Sequence, residues 1–250
     1  MSELFRNERG IIKMQPSDRI IFPLDVPDYQ AAMRLVELLT GRVGLFKVGL
    51  ELFIAEGPRI VEAINNAGDT GVFLDLKLHD IPATVTRAFE TAARLKPVFI
   101  TVHCEQGDGF LKHVSEKFPD TRALGITLLT SLGAGHLEKL GLRPEYVNDI
   151  SSLAVRRALI AKEAGCGGVV CSGLESATIR EALGPEMTIV TPGIRPRWSL
   201  VEGDDQKRIV TPGRAVQNGA DYIVVGRPIR DAEDPAEAAG RVAEEIESGL

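Results

Sequence analysis

The chain has 250 residues, of which 44% are hydrophobic and 26% are charged, a composition typical of a folded globular protein. Its 29 basic and 35 acidic residues give a net charge of −6, which argues against nucleic-acid binding because nucleic-acid binders usually carry a basic excess. The longest segment without Lys, Arg, Asp or Glu, residues 123–137, is too short and too interrupted by glycine to cross a membrane. We therefore expect no nucleic-acid partner and no membrane span.

The first 17 residues carry several charges and lack the apolar centre of a secretory signal. We interpret residues 1–17 as an N-terminal arm and residues 18–250 as one folded domain. Three cysteines, Cys104, Cys166 and Cys171, show no C-x-x-C spacing, so we predict reduced, mostly buried thiols in a cytoplasmic protein. His103 beside Cys104 is only a weak sign of a metal site, because neighbouring residues in a strand point to opposite faces.

Short apolar or β-branched runs alternate along the chain with segments of helical period, which is typical of parallel β-α units. The predicted strands are residues 19–26, 44–49, 71–78, 98–104, 123–130, 167–172, 187–192 and 222–226. Apolar residues at helical spacing are Ala32, Leu35, Val36 and Leu39 in one segment and Ala236, Ala239, Val242, Ala243 and Ile246 in another.

The spacing of the strands favours a closed barrel over an open doubly wound sheet. Their ends recur at an average of about 29 residues, the repeat that a (β/α)₈ TIM barrel of this length needs. The first strand is not followed by the G-x-G-x-x-G loop common in open sheets. A longer fifth unit leaves room for a short extra helix near residues 134–140. We also expect Pro82 in a first helical turn, and a helix that starts at Pro212 with Thr211 as its N-cap.

The third predicted strand ends in the most unusual cluster of the sequence, Asp75-Leu76-Lys77-Leu78-His79-Asp80. Alternation places Asp75 and Lys77 on the inner face of the barrel, where the strand ends gather catalytic residues in this fold. Nearby carboxylates favour the charged ammonium, so we predict that Lys77 is a proton donor and not a Schiff-base nucleophile. A buried structural ion pair is the alternative, although such a cluster is costly to bury without a function.

Other strand ends supply further polar groups around the same mouth. Asp25 and Lys47 close the first two strands and suit the hydroxyl groups of a sugar, and Thr130 with Ser131 follows the fifth. The turns Thr191-Pro192-Gly193-Ile194-Arg195 and Gly226-Arg227 follow strands seven and eight, where barrels often bind phosphate. The long polar loop at residues 195–209 is predicted to be a lid over that phosphate.

Taken together, these motifs resemble the orotidine 5′-phosphate decarboxylase family. The motifs that carry the resemblance are Asp75-x-Lys77-x-x-Asp80-Ile81-Pro82-x-Thr84, Leu128-Leu129-Thr130-Ser131, Pro192-Gly193-Ile194-Arg195, Gly203-Asp204-Asp205-Gln206-Lys207-Arg208 and Val225-Gly226-Arg227-Pro228-Ile229. The resemblance extends from about Asp18 to Ala239. It implies a TIM-barrel homodimer that converts orotidine 5′-monophosphate to UMP and CO₂, the last step of pyrimidine biosynthesis, with no metal and no organic cofactor.

The resemblance also implies roles for individual residues. Lys77 would protonate C6 of the pyrimidine, Asp75 would face the departing carboxylate and hold Lys77, and Asp80 with Thr84 would reach into the active site of the neighbouring subunit. The remaining substrate-binding residues would be Asp25 and Lys47 at the ribose, Thr130 and Ser131 at the pyrimidine, Arg195, Gln206, Gly226 and Arg227 at the phosphate, and Ile81 and Pro192.

Two other functions fit parts of the sequence. The D-x-K-x-x-D core also occurs in Mg²⁺-dependent sugar-phosphate decarboxylases and aldol-type synthases of the same superfamily, which a chelator would inactivate. A non-catalytic nucleotide-binding barrel is the second alternative, and the intact charged cluster argues against it.

Overall fold

The computed structural model describes residues 14–105, 109–199 and 210–250. It contains eight strands, β1 Ile20–Pro23, β2 Leu45–Val48, β3 Gly71–Leu78, β4 Phe99–Val102, β5 Arg122–Ile126, β6 Gly168–Val170, β7 Thr188–Thr191 and β8 Tyr222–Val224. All eight predicted strands are confirmed, and most are shorter than predicted because their last residues already belong to the loops above the barrel.

The strands form a closed parallel barrel in chain order. The barrel closes where β1 pairs with β8, with Ile20 opposite Ile223 and Ile21 opposite Val224. This closure confirms the predicted (β/α)₈ fold and excludes the open sheet. Because every strand runs the same way, the carboxyl ends of all eight meet at one mouth.

The helices surround the barrel. They are α1 Tyr29–Leu39, α2 Leu50–Glu56, α3 Pro58–Ala67, α4 Pro82–Ala93, α5 Lys112–Lys117, α6 Ala134–Lys139, α7 Pro144–Asn148, α8 Ile150–Ala164, α9 Ser176–Leu183, α10 Pro212–Gln217, α11 Arg227–Arg230 and α12 Pro235–Glu247. The predicted extra helix is α6, and α7 after it was not predicted. Pro82 and Pro212 occupy first turns as expected, with Thr211 as the N-cap of α10.

The apolar side chains form an inner and an outer layer. The outer layer lies between strands and helices and includes Val36 and Leu39 of α1 and Val242 and Ile246 of α12, as their helical spacing predicts. The inner layer fills the barrel with Ile21, Leu45, Phe73, Phe99, Leu124 and Tyr222 among others.

The inner apolar layer also sets the height of the polar residues above it. Two residues after Leu45, Phe73 and Phe99, the same strands carry Lys47, Asp75 and Thr101. Since strand side chains alternate between faces, these three polar residues also point into the barrel, one layer above the inner apolar layer.

The three cysteines are free and buried, as predicted. The sulfurs of Cys104 and Cys166 lie 3.3 Å apart, and this contact together with burial raises the pKa of the Cys166 thiol well above its ordinary value. His103 lies instead beside Glu105, and its ring centroid is 4.7 Å from that of His79. His103 and Cys104 therefore do not form a metal site together in the described structure.

Of the predicted N-terminal arm, residues 1–13 lie outside the described residues. Met14 packs against the inner apolar layer, and a 3₁₀ turn at Pro16–Arg19 leads into β1. None of the helices in the described parts of the chain combines the length and apolar character needed to span a membrane.

Candidate active site

A cavity of about 290 Å³ opens at the mouth of the barrel, where the carboxyl ends of the strands meet. The predicted site residues that line it are Asp25, Lys47, Asp75, Lys77, Thr130, Pro192, Arg195, Gly226 and Arg227. Apolar side chains such as Phe73, Ile126 and Val170 also line it. A concave cavity that combines apolar side chains with convergent charged groups is typical of a small-molecule site.

Four charged side chains of alternating sign cross this cavity in a row. The ammonium of Lys77 lies 2.8 Å from each carboxylate oxygen of Asp75. Asp75 Oδ2 lies 3.6 Å from the ammonium of Lys47, which in turn donates to Asp25 Oδ1 at 3.2 Å. We call these four residues, Asp25, Lys47, Asp75 and Lys77, the charge row.

Asp75 is the most enclosed acid of the charge row, with a side chain that is 13% exposed. Burial by itself would raise the pKa of Asp75. The charges of Lys47 and Lys77 and the hydrogen bonds from Lys77 and Thr101 outweigh that effect, so the pKa is lowered. Asp75 is therefore a fixed negative charge at neutral pH, and it anchors Lys77 inside the cavity.

The strand that carries these groups is irregular at this point. On β3 the register with β4 shifts between Leu74 and Leu78, and Lys77 has a φ of 49°. A non-glycine residue with positive φ is uncommon and often marks a functional site. Asp75 and Lys77 face the cavity as predicted, and Leu76 and Leu78 pack outward, but through a bulge that alternation alone does not reveal.

The acid at the end of the D-x-K-x-x-D motif lies elsewhere. Asp80 is exposed, and its Oδ1 accepts a hydrogen bond from the main-chain N–H of Ile81 at 2.6 Å. Ile81 is 66% exposed and caps α4, and Thr84 lies in the first turn of that helix. Asp80, Ile81 and Thr84 do not line the cavity of their own chain.

The opposite side of the cavity is basic. Arg195 is buried, with its main-chain N–H bonded to Val210, and Gly193 before it has a φ of 76° that favours glycine. Gly226 precedes the first turn of α11, and a side chain at this position would meet the ring of Pro23 at 2.9 Å. Glycine at position 226 therefore allows the end of β8 to lie close to Pro23 of β1, and Arg227 beside it lines the cavity.

One predicted residue lies apart from this group, and another falls outside the described residues. Ser131 does not line the main cavity and lies with Thr130 in a neighbouring depression toward α6. Gln206, with residues 200–209 of the predicted lid, lies outside the described residues. The structure adds Arg230, which lines the cavity and donates to the carbonyl oxygen of Asp25 at 3.2 Å.

Among the residues that the structure describes, no three His, Cys, Asp or Glu side chains come together in a way that would hold a metal ion. The charged groups that line the cavity are instead two carboxylates, two ammonium groups and three guanidinium groups. Groups of this kind can stabilise a negatively charged ligand and move a proton to it.

Comparison with known proteins assigns the chain to a family. The family model described as orotidine 5′-phosphate decarboxylase / HUMPS family matches residues 18–242. The chain belongs to this family.

Curated relatives in the family cover nearly the same length. A protein of Desulfosudis oleivorans is 47% identical over 237 residues, 94% of this chain and 95% of the relative. A protein of Syntrophomonas wolfei is 46% identical and is covered in full. Both are named orotidine 5′-phosphate decarboxylase.

A solved structure shares the fold. The crystal structure of orotidine 5′-phosphate decarboxylase from Lactobacillus acidophilus matches with a TM-score of 0.76 and 31% identity. The match covers 91% of this chain and 98% of the other.

Proposed function

We propose that this protein is the enzyme that decarboxylates orotidine 5′-monophosphate to UMP and CO₂, the last step of pyrimidine biosynthesis. The observation that carries the proposal is the charge row, with the Lys77 ammonium fixed by Asp75 inside the cavity. The names of the curated relatives support the same substrate.

The reaction needs a group that stabilises negative charge on a carbon atom. When the bond between C6 and its carboxylate breaks, the electron pair stays on C6 and CO₂ leaves. Lys77 is proposed to stabilise this pair electrostatically and to transfer a proton from Nζ to C6, which leaves a neutral amine that solvent reprotonates. The proposed reaction uses no metal and no organic cofactor.

Asp75 is proposed to hold Lys77 and to face the leaving carboxylate. Because its oxygens already accept from Lys77 and Thr101, the carboxylate is fixed before substrate arrives. A preorganised charge costs no rearrangement at the moment of reaction, which is the source of its catalytic value.

The remaining cavity residues are proposed to bind the rest of the nucleotide. Asp25 and Lys47 suit the ribose hydroxyls, and Thr130 with Ser131 the pyrimidine. The proposed phosphate ligands are Arg195, Gln206, Gly226 and Arg227, with Pro192 and Ile81 as further contacts. Phosphate binding far from C6 can supply binding energy to the chemical step.

The active enzyme is proposed to be a homodimer. Asp80, Ile81 and Thr84 do not line the cavity of their own chain, and the exposed Ile81 is an apolar side chain suited to an interface. We propose that Asp80 and Thr84 complete the active site of the second subunit. The proposed domain division is an arm at residues 1–17 and a catalytic barrel at 18–250, in the cytoplasm, where free buried thiols are common.

The test is the absorbance change of orotidine 5′-monophosphate on addition of purified protein, with and without EDTA. We expect conversion to UMP at the same rate in both samples. Activity that EDTA abolishes would indicate the Mg²⁺-dependent sugar-phosphate chemistry found in the same superfamily. Binding without conversion would indicate a nucleotide-binding barrel.

A further inference from the structure

The hydroxyl of Thr101 on β4 lies between the irregular backbone of β3 and the carboxylate of Asp75. We propose that Thr101 is a positioning residue that holds the strand bulge and the Asp75 carboxylate in one fixed relation, and so places the Lys77 ammonium. The inference rests on the proposed function for its effect on catalysis.

The bulge is an interruption of the β3–β4 ladder. Leu74 pairs with Ile100, and the next pair is Leu78 with Val102. Four steps along β3 therefore correspond to two steps along β4, so β3 carries two extra residues opposite Thr101. Extra residues in a strand lose ladder partners and re-aim side chains, a feature common beside active sites.

The Thr101 hydroxyl supplies the partner that the ladder no longer gives. The main-chain N–H of Lys77 donates to Thr101 Oγ1 at 2.8 Å, and Thr101 Oγ1 donates to Asp75 Oδ1 at 2.9 Å. A hydroxyl has one proton, and the Lys77 N–H needs an acceptor, so the direction of both bonds is fixed. Thr101 is fully buried.

These bonds tie the backbone of Lys77 and the carboxylate of Asp75, both on β3, to the neighbouring strand β4. Lys77 has a φ of 49°, a conformation that needs support from its surroundings. Without the hydroxyl, the Lys77 N–H and one oxygen of Asp75 would each lose a partner. The bulge would then be free to relax, and the Lys77 ammonium would lose its fixed distance from the substrate.

The experiment compares Thr101→Val, which keeps the shape and removes the hydroxyl, with Thr101→Ser, which keeps the hydroxyl. For Thr101→Val we expect kcat to fall about 10- to 100-fold, the loss typical of a small displacement of a catalytic group. KM should change less than about threefold, because the proposed phosphate and ribose ligands are untouched. Thr101→Ser should retain most of the wild-type kcat.

Thr121→Val is the matched control. Thr121 is also buried, and its hydroxyl donates to the carbonyl oxygen of Pro97 at 2.7 Å, at the opposite end of the barrel. It should lose stability without a comparable loss of kcat. Wild-type kcat in Thr101→Val, an equal loss in Thr121→Val, or no rescue by serine would each overturn the inference.

A second measurement does not depend on activity. Urea unfolding midpoints are compared for the wild type, Thr101→Val, Asp75→Ala and the double variant. The shift caused by Thr101→Val should be smaller when Asp75 is already absent, because the hydroxyl has lost its acceptor. Equal shifts would contradict the link between the two residues. If the wild type releases no CO₂, the proposed function is wrong, while this comparison still decides the link.

Discussion

At the scale of single residues, the chemistry depends on where one ammonium is held. The ammonium of Lys77 donates to both oxygens of Asp75, and its main-chain N–H donates to Thr101 on β4. Both the side chain and the positive-φ backbone of Lys77 are therefore held by hydrogen bonds. If Lys77 is the proposed proton donor, it can act without a change of conformation, because a preorganised charge needs no rearrangement at the moment of reaction.

Replacement of Lys77 by alanine tests this directly. Lys77→Ala should lower kcat at least about 100-fold, since a positioned general acid contributes that much or more. Affinity for UMP, measured by calorimetry, should change only modestly because the basic side of the cavity remains. Lys117→Ala is the control, since Lys117 is an exposed lysine paired with Glu90 at 2.9 Å. Retained turnover in Lys77→Ala would exclude Lys77 as the proton donor.

The sequence predicts some of these residues and misses others for a physical reason. Asp75 and Lys77 stand out because charged residues inside an apolar strand are costly unless they have a function. Thr101 does not stand out, because a β-branched residue between Ile100 and Val102 is ordinary in a strand. Arg230 is likewise one basic residue among several near the last helices, and only the fold brings it to Asp25.

At the scale of elements, the runs of apolar residues predict which segments are strands but not how neighbouring strands pair. The bulge in β3 depends on the register with β4, and a register is a property of two segments that lie far apart in sequence. Helix α7 was missed because Pro144–Asn148 is a single short turn, and its two core-packed apolar residues, Tyr146 and Val147, are too few to show a helical period.

One contact between elements explains a glycine inside a strand. A methyl group added to Gly125 of β5 would lie 2.4 Å from Cβ of Ala161 on α8 and 3.3 Å from the sulfur of Cys104. Helix α8 can therefore pack on β5 at this distance only because residue 125 has no side chain.

This contact predicts a coupled effect on stability. Gly125→Ala should lower the free energy of unfolding by about 1–3 kcal/mol through overpacking. Ala161→Gly alone should cost about 1 kcal/mol of helix stability. The double variant should lose less than the sum of the two, because the new methyl group fills the space that the other leaves. Additive losses in urea unfolding would show that β5 and α8 do not meet in this way.

At the scale of the whole molecule, the barrel brings most of the candidate site residues to one mouth, yet part of the family motif does not line the cavity there. The parallel direction of the strands in the closed barrel explains why Asp75, Lys77, Arg195 and Arg227 share one cavity. It does not explain Asp80 and Thr84, which lie beside β3 outside that cavity. A two-fold dimer would account for them, because in such a dimer each subunit contributes the same residues to the active site of the other.

Mixed dimers test that arrangement. Lys77→Ala and Asp80→Asn chains should each be nearly inactive alone. In a mixed dimer one site combines an intact Lys77 with an intact Asp80 from the other chain, so random mixing should restore about a quarter of wild-type activity. The matched control mixes Lys77→Ala with Asp75→Ala. Both residues belong to the cavity of their own chain, so each site of the mixed dimer lacks one of them and no activity should be restored. If both mixtures stay inactive while size-exclusion chromatography shows dimers, Asp80 does not act across the interface.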